Sequence, residues 1–247
     1  MKIGCIIQAR TGSTRCPGKV MKKIVGKTIL ELLIERLKPS KYIDEIIVAT
    51  TNKPRDNVIV DLCVKNNISF FRGSEDDVLD RYYQCAKQLN IDVIVRATSD
   101  NPLADYRMMD KIIEEFMKHL PDIDLVANDI PFTFPIGLNM HIMSLAALEK
   151  EHKETADKHD REDVVLYIID NPTKFKVVSI HSEVNLSSER WTLDYEEDYE
   201  FIKKVFEALY KEGECFDMHQ IIEYLNKNPE VRKINKHLEH KYKYKVK

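Results

Sequence analysis

No stretch of this 247-residue chain approaches the roughly 20 consecutive apolar residues that a membrane helix requires. The apolar run in "MKIGCIIQAR" is also too short for the core of a secretory signal with a cleavage site behind it. Cysteine is sparse and odd in number. The five, at positions 5, 16, 63, 85 and 215, include no pair at metal-ligand spacing, so reduced thiols in a cytoplasmic protein are expected. A large positive excess is missing too. The 38 Lys and Arg residues face 41 Asp and Glu, a net charge of −3. That balance argues against binding nucleic acid through its phosphate backbone, while a local basic pocket stays open. Repeats and low-complexity segments are absent. So is any Ser–His–Asp or Cys–His pattern, which disfavours a covalent intermediate on the protein.

What is present suits a packed core in one domain spanning 1–247, with 43% hydrophobic and 32% charged residues. The first half alternates strands and helices. "KIGCIIQA" reads as a buried strand. "TILELLIERLK" has helical spacing, and Thr28 with Glu31 forms a capping box at its start. "DEIIVATT", "SFFRG" and "DVIVRATSD" read as strands, and "NVIVDLCVKNN" and "YRMMDKIIEEFMKHL" as helices. Ser74 is expected to cap the helix "EDDVLDRYYQCAKQLN", whose apolar face is Val78, Leu79, Tyr82, Cys85, Ala86 and Leu89. This rhythm predicts an α/β fold, a mostly parallel sheet with helices on both faces.

Near residue 129 the rhythm changes. "DIPFTFPIGLNMHIMS" ends in an alternating strand, and residues 145–171 read as two helices around a polar break. "FKVVSIHS" and "ERWTLD" read as strands, and "EEDYEFIKKVFEALY" and "MHQIIEYLNKN" as closing helices. Residues 130–190 are therefore expected to form an excursion from the main fold. The basic end, 236–247, reads as a solvated tail.

Ligands of open parallel sheets sit beyond the carboxyl ends of the strands. The loops to inspect are then 8–19, 50–52, 72–74, 96–101 and the region of Asp194. The first, "QARTGSTRCPGK", is neither the dinucleotide fingerprint nor the ATPase loop. Gly12 and Gly18 enclose five residues instead of four, Val20 follows Lys19 where Ser or Thr is needed, and Pro17 removes an amide donor. It still offers a close backbone approach at Gly12 and the cations Arg10, Arg15 and Lys19, which suit phosphate oxygens. An ordinary basic surface loop is the alternative.

Asp100 ends the strand "VRATSD", where a carboxylate can ligate Mg2+ or close an Asx-turn. Asp194, in "RWTLDYEED", can do the same or cap a helix. Two aspartates at strand ends facing a cationic loop suggest a metal bridging the protein and a nucleotide phosphate. Such a site would carry out nucleotidyl transfer by positioning and electrostatics.

These motifs resemble the cytidylyltransferases that make CMP-activated acidic sugars, the acylneuraminate and 3-deoxy-manno-octulosonate group. The nearest likeness is the subgroup of spore coat polysaccharide biosynthesis protein F. "QARTGSTRCPGK", "FRGSEDDVLDRYY", "VRATSDNPL", "FPIGLNM" and "RWTLDYEEDYEFI" match in order, across residues 1 to about 210. The resemblance implies a nucleotide-diphospho-sugar transferase-like fold, CTP, a small acidic acceptor of the nonulosonic type, and a homodimer formed through the excursion.

Carried over by position, Gln8, Ala9, Arg10 and Ser13 would line the nucleotide, with Arg15 and Lys19 on its phosphates. Arg72, Ser74, Asp80 and Arg81 would lie near base, ribose or acceptor, and Arg96 and Ser99 would complete the nucleotide-binding set. Asp100 and Asp194 would hold Mg2+, and these two with Arg15 and Lys19 would form the catalytic group. Three places depart from the pattern: Cys16 for leucine, Asn139 for aspartate, and "DREDVV" around the expected Arg161–Glu162 pair. Alternatives within the fold are a sugar phosphate or phosphonate acceptor, or UTP or GTP as donor. An alternative of another class is a module that binds a nucleotide sugar without turning it over.

Overall fold

The computed structural model describes residues 1–238, so the basic tail from 239 onward lies outside the described residues. The described residues hold nine strands and ten α-helices, numbered in chain order, and those of the first half follow the expected alternation. The strands are β1 (Ile3–Gln8), β2 (Lys23–Ile24), β3 (Lys27–Thr28), β4 (Glu45–Thr51), β5 (Ser69–Gly73), β6 (Val93–Thr98), β7 (Leu125–Ala127), β8 (His141–Ser144) and β9 (Val177–Ser179). The first four helices are α1 (Ile29–Leu37), α2 (Asn57–Lys65), α3 (Val78–Gln88) and α4 (Tyr106–Lys118). Then come α5 (Leu145–Glu154), α6 (Lys158–Glu162), α7 (Leu166–Asp170), α8 (Glu196–Leu209), α9 (Met218–Lys227) and α10 (Pro229–Arg232).

Seven strands form one sheet in the order β5-β4-β1-β6-β8-β7-β9. The first four are mutually parallel, β8 runs antiparallel to both β6 and β7, and β9 is parallel to β7. The chain leaves β1 toward β4 and β5, then returns to the other side of β1 as β6. That reversal opens a crevice at the carboxyl ends of β1 and β6, where α/β sheets bind ligands.

Alternation along the strands makes two apolar faces. Cys5, Ile7 and Val48 face α1, α2 and α4, through Leu33, Ile59 and Ile112. Ile6, Ile47 and Ile94 face α3, α5 and α7, through Leu79, Leu148 and Ile168. A third cluster lies behind α1, where Ile29 and Leu32 meet Trp191, Phe201, Phe206 and Ile221. Full burial of such side chains contributes about 1.5–3 kcal/mol each, enough to fix α8 and α9 against the main body. Tyr82 is wholly buried on α3, and its hydroxyl lies 3.1 Å from the carbonyl oxygens of Ile6 and Ala97, either of which can accept its one proton.

Several local expectations hold. The Thr28–Glu31 capping box is formed in full. Others change. The α3 cap is Asp77, whose carboxylate accepts from Asp80 N at 2.9 Å, while Ser74 Oγ accepts from Asp77 N one step earlier. Residues 145–171 hold three helices, because Asp157 caps a separate short α6. "ERWTLD" is not a strand; it makes a single parallel bridge, Ile136 with Arg190. The segment 130–190 also supplies β8 and β9 to the main sheet.

Candidate active site

The loop after β1 starts where Ala9 N donates to Ala49 O at 3.1 Å and turns at Gly18, which has a left-handed φ of 65°. Gly18 is therefore suited to the turn as no β-carbon residue would be. Asp56, completely buried before α2, anchors the loop from the side. Its Oδ1 accepts from both the amide and the hydroxyl of Thr11 at 2.7 Å, and its Oδ2 from Thr51 Oγ1. Burial would raise this carboxyl, but the Thr11 and Thr51 bonds outweigh it and hold the group below the usual range. Gly12 lets the Arg55 guanidinium lie close against the loop: a β-carbon there would come within 2.7 Å of it and displace that flexible side chain.

At its far end the loop delivers Lys19 to the crevice. Lys19 is only 9% exposed, and its ammonium donates to Leu193 O at 2.5 Å, Asp194 Oδ1 at 3.1 Å and Asp100 Oδ2 at 3.2 Å. Burial would lower the lysine's pKa, but the two carboxylates outweigh it and raise it. The counterpart holds for Asp100: burial would raise its carboxyl, and Lys19 keeps it low. Arg15 pairs with Asp194 Oδ1 at 2.9 Å and lies over the Tyr195 ring. All four residues expected to form the catalytic group thus meet at one point.

Main-chain bonds hold the two aspartates together. Asp100 O accepts from Leu193 N at 2.7 Å and from Thr192 Oγ1 at 3.3 Å. Asp194 is not the cap of α8, a position that Tyr195 holds. The amides of Asp194 and Tyr195 donate to Asp198 Oδ2, at 2.9 and 3.0 Å. Fully buried Asp198 also receives Arg190 in a fork, both bonds at 2.8 Å, and Asn235 Nδ2 at 2.9 Å. Burial would lower the Arg190 pKa, and the Asp198 carboxylate raises it instead. Sequence reading missed this support. Asp198 is one of three acids in the first turn of α8, and nothing local reveals that Asn235 returns to it from 37 residues away.

The remaining predicted residues divide into two sets. Ala9, Ser99 and Ser13 stay with the loop: Ser99 N donates to Gln8 O at 3.1 Å, and Ser13 Oγ accepts from Cys16 N at 3.4 Å. Gln8 keeps a buried amide oxygen with no hydrogen-bond partner among the described residues, an acceptor left unused beside the loop. Arg10 lies at the mouth, 3.7 Å from Glu75 and 4.0 Å from Glu162. The other set is engaged in framework contacts. Arg72 binds the carbonyls of Thr51 and Lys53 and the Asn57 side chain, and Arg81 binds Ser74 O. Asp80 pairs with His152 on the outer face of α3. Arg96 pairs with Asp163 and meets His141 Nδ1, tying β6 to the segment before α7.

The three departures also find places. Cys16 is fully buried, with Sγ 3.5 Å from Glu196, and burial pushes its thiol above the ordinary value. Asn139 Oδ1 accepts from Gly137 N at 3.2 Å and from Asn101 at 3.4 Å, linking two loops at the crevice. Arg161 docks α6 by bonding Asp77 at 2.8 Å and the carbonyls of His152 and Thr155.

Two carboxylates and one carbonyl converge on a cation, the Lys19 ammonium. That donor set fits Mg2+, which takes one or two carboxylates and completes its shell with phosphates and water. No group of three His, Cys, Asp or Glu side chains placed to hold a metal occurs among the described residues.

Comparison with known proteins adds the family. The cytidylyltransferase family model matches residues 4–234. The chain belongs to the cytidylyltransferase family. An uncharacterised protein of Methanocaldococcus jannaschii is 43% identical over 245 residues, 98% of this chain and 97% of that one. Spore coat polysaccharide biosynthesis protein SpsF of Bacillus subtilis is 31% identical over 235 residues, 92% and 95% of the two chains. A solved cytidylyltransferase of Leptospira borgpetersenii superposes with a TM-score of 0.91 at 37% identity, covering 97% of this chain and all of its own. This cytidylyltransferase-family chain thus has the fold expected of a nucleotidyltransferase. No helix among its described residues is long and apolar enough to cross a membrane.

Proposed function

We propose that this protein transfers CMP from CTP to a small acidic sugar-type acceptor, with release of pyrophosphate, in the biosynthesis of a surface polysaccharide or glycan. The observation that carries the reading is the meeting of Lys19, Arg15, Asp100 and Asp194 at the end of a glycine-bearing loop, in the crevice between β1 and β6. The acceptor class rests on the motif resemblance, and the polysaccharide setting on the likeness to SpsF.

In this reading the triphosphate lies along residues 10–19. Arg10, Arg15 and Lys19 neutralise its oxygens, and the Asp56 anchor fixes the loop before the nucleotide arrives. An acceptor oxygen attacks the α-phosphorus, and the bond to the β-phosphate oxygen breaks. Mg2+ held by Asp100 and Asp194 would supply positive charge to the phosphates. Positioning and fixed charge do the rest, with no protein nucleophile.

A thermal-shift comparison tests the donor. A ligand that binds only the folded state raises the melting temperature, so CTP with Mg2+ is expected to raise it more than UTP, GTP or ATP does. A larger shift with another nucleotide would reassign the base. Asp100→Asn is expected to lower turnover at least a hundredfold while leaving the melting temperature within a few degrees. A variant that simply unfolds would mark Asp100 as structural.

A further inference from the structure

Lys19 is placed oddly for a residue meant only to touch phosphate. Its ammonium is nearly buried and bridges the two aspartates, sharing Asp194 Oδ1 with the more exposed Arg15. Its contacts are three oxygens, from Asp100, Asp194 and the Leu193 carbonyl, the donor types that a hard divalent cation also takes. Among the described residues Lys19 is the one ion-pair partner of Asp100, whereas Asp194 also has Arg15 and Arg190.

Charge balance follows from the same contacts. Asp100 and Asp194 are already matched by Lys19 and Arg15. A bare divalent cation would have to displace Lys19 or sit beside it in a semi-buried site, where like charges repel strongly. A triphosphate changes this. It would offer Lys19 new oxygens, and it brings negative charge of its own.

We propose that Lys19 stands in for the divalent cation in the nucleotide-free protein, and that the cation enters when a triphosphate draws the lysine off Asp100 and Asp194. This rests on the reading of those two aspartates as the metal site. The lysine then serves two oxygen sets in turn: the aspartates when the site is empty, the phosphates when it is filled. Metal and triphosphate binding become positively coupled, and by linkage each raises the affinity for the other by the same factor.

The test is direct binding of Mn2+ to nucleotide-free protein, read by electron paramagnetic resonance of the free ion. Wild type is expected to bind weakly. Lys19→Gln and Lys19→Met are expected to bind at least tenfold more tightly, and Lys19→Arg to stay as weak as wild type. Equal or weaker binding by both neutral variants overturns the proposal. So does tight binding by the nucleotide-free wild type, an arm that holds even if the variants fail to fold. Lys19→Gln combined with Asp100→Asn separates the proposal from the reading beneath it. Loss of the gained affinity places the ion at Asp100, whereas unchanged affinity sinks the metal-site assignment itself.

Discussion

Asp56 shows how much one buried side chain can set. It connects Thr11 in the loop after β1 to Thr51 at the end of β4, so the loop is held from the neighbouring strand. Removing it leaves the Thr11 amide and two hydroxyls without their acceptor. Asp56→Ala is expected to cost about 1–3 kcal/mol in denaturant unfolding and to weaken CTP binding. Its carboxyl is held low in the folded state, so its contribution is present at neutral pH and is lost as pH falls through that lowered value. Asp56→Asn, which keeps one acceptor oxygen, should lose less on both counts. The sequence carried no mark of this role: "KPRDNV" reads as the polar start of a helix, and its partners lie 45 and 5 residues away.

Longer segments carry two further expectations. Gly137 has φ 109°, and a β-carbon there would lie 2.6 Å from the Trp191 carbonyl carbon and 2.7 Å from Thr192 N. The loop 130–140 is thereby pressed onto the segment that leads to Asp194. Gly137→Ala is expected to lower stability by more than about 1 kcal/mol and to lower activity further, by shifting Asp194 relative to Asp100. Chemical denaturation and steady-state rates measured together would separate the two effects.

The second expectation concerns α5, where wholly buried Glu151 accepts the amide of Val165 at 3.1 Å. Val165 itself has the left-handed φ of 86°, unusual for a β-branched residue. Burial raises the Glu151 carboxyl from 4.5 to about 8. A carboxyl raised by folding favours the folded state while it is protonated there. Stability should therefore fall as pH rises from about 4.5 to about 8 and level off above. Glu151→Gln should flatten that slope in melting curves taken across the range; an unchanged slope would assign the pH dependence elsewhere.

These same segments show what periodicity can and cannot reveal. The strands and helices of the first half were legible because each has one apolar pattern and a cap or turn at its ends, as at Thr28. Residues 145–171 misled because a short helix such as α6 is fixed by Asp157 and by Arg161 reaching Asp77, contacts that leave no periodic trace. "ERWTLD" alternates like a strand, yet its Trp191 and Leu193 face the third cluster while its backbone bonds Asp100 and Ile136.

Taken as one object, the molecule places its chemistry where the sheet reverses direction. Lys19 reaches the crevice from β1, Asp100 from β6, and Asp194 from a segment nearly 100 residues later. Strand-end position and motif order both point to these three residues and to Arg15. Their convergence depends on Arg190, Asp198 and Asn235, a buried set joined across 45 residues that no local pattern announces. Motif position also points to Arg72 and Arg81, but their guanidiniums bond backbone carbonyls of the framework. Sequence position places a residue near a strand end; only packing decides which way a long side chain turns.

The proposed reaction at this site is transfer of a cytidylyl group. The direct measurement is incubation with CTP, Mg2+ and a panel of acidic sugars, following pyrophosphate and the CMP-linked acceptor in the same samples. Both are expected to accumulate in equal amounts with CTP, and neither with Asp100→Asn. Turnover of another nucleoside triphosphate in place of CTP, or pyrophosphate without a CMP-linked product, would contradict it.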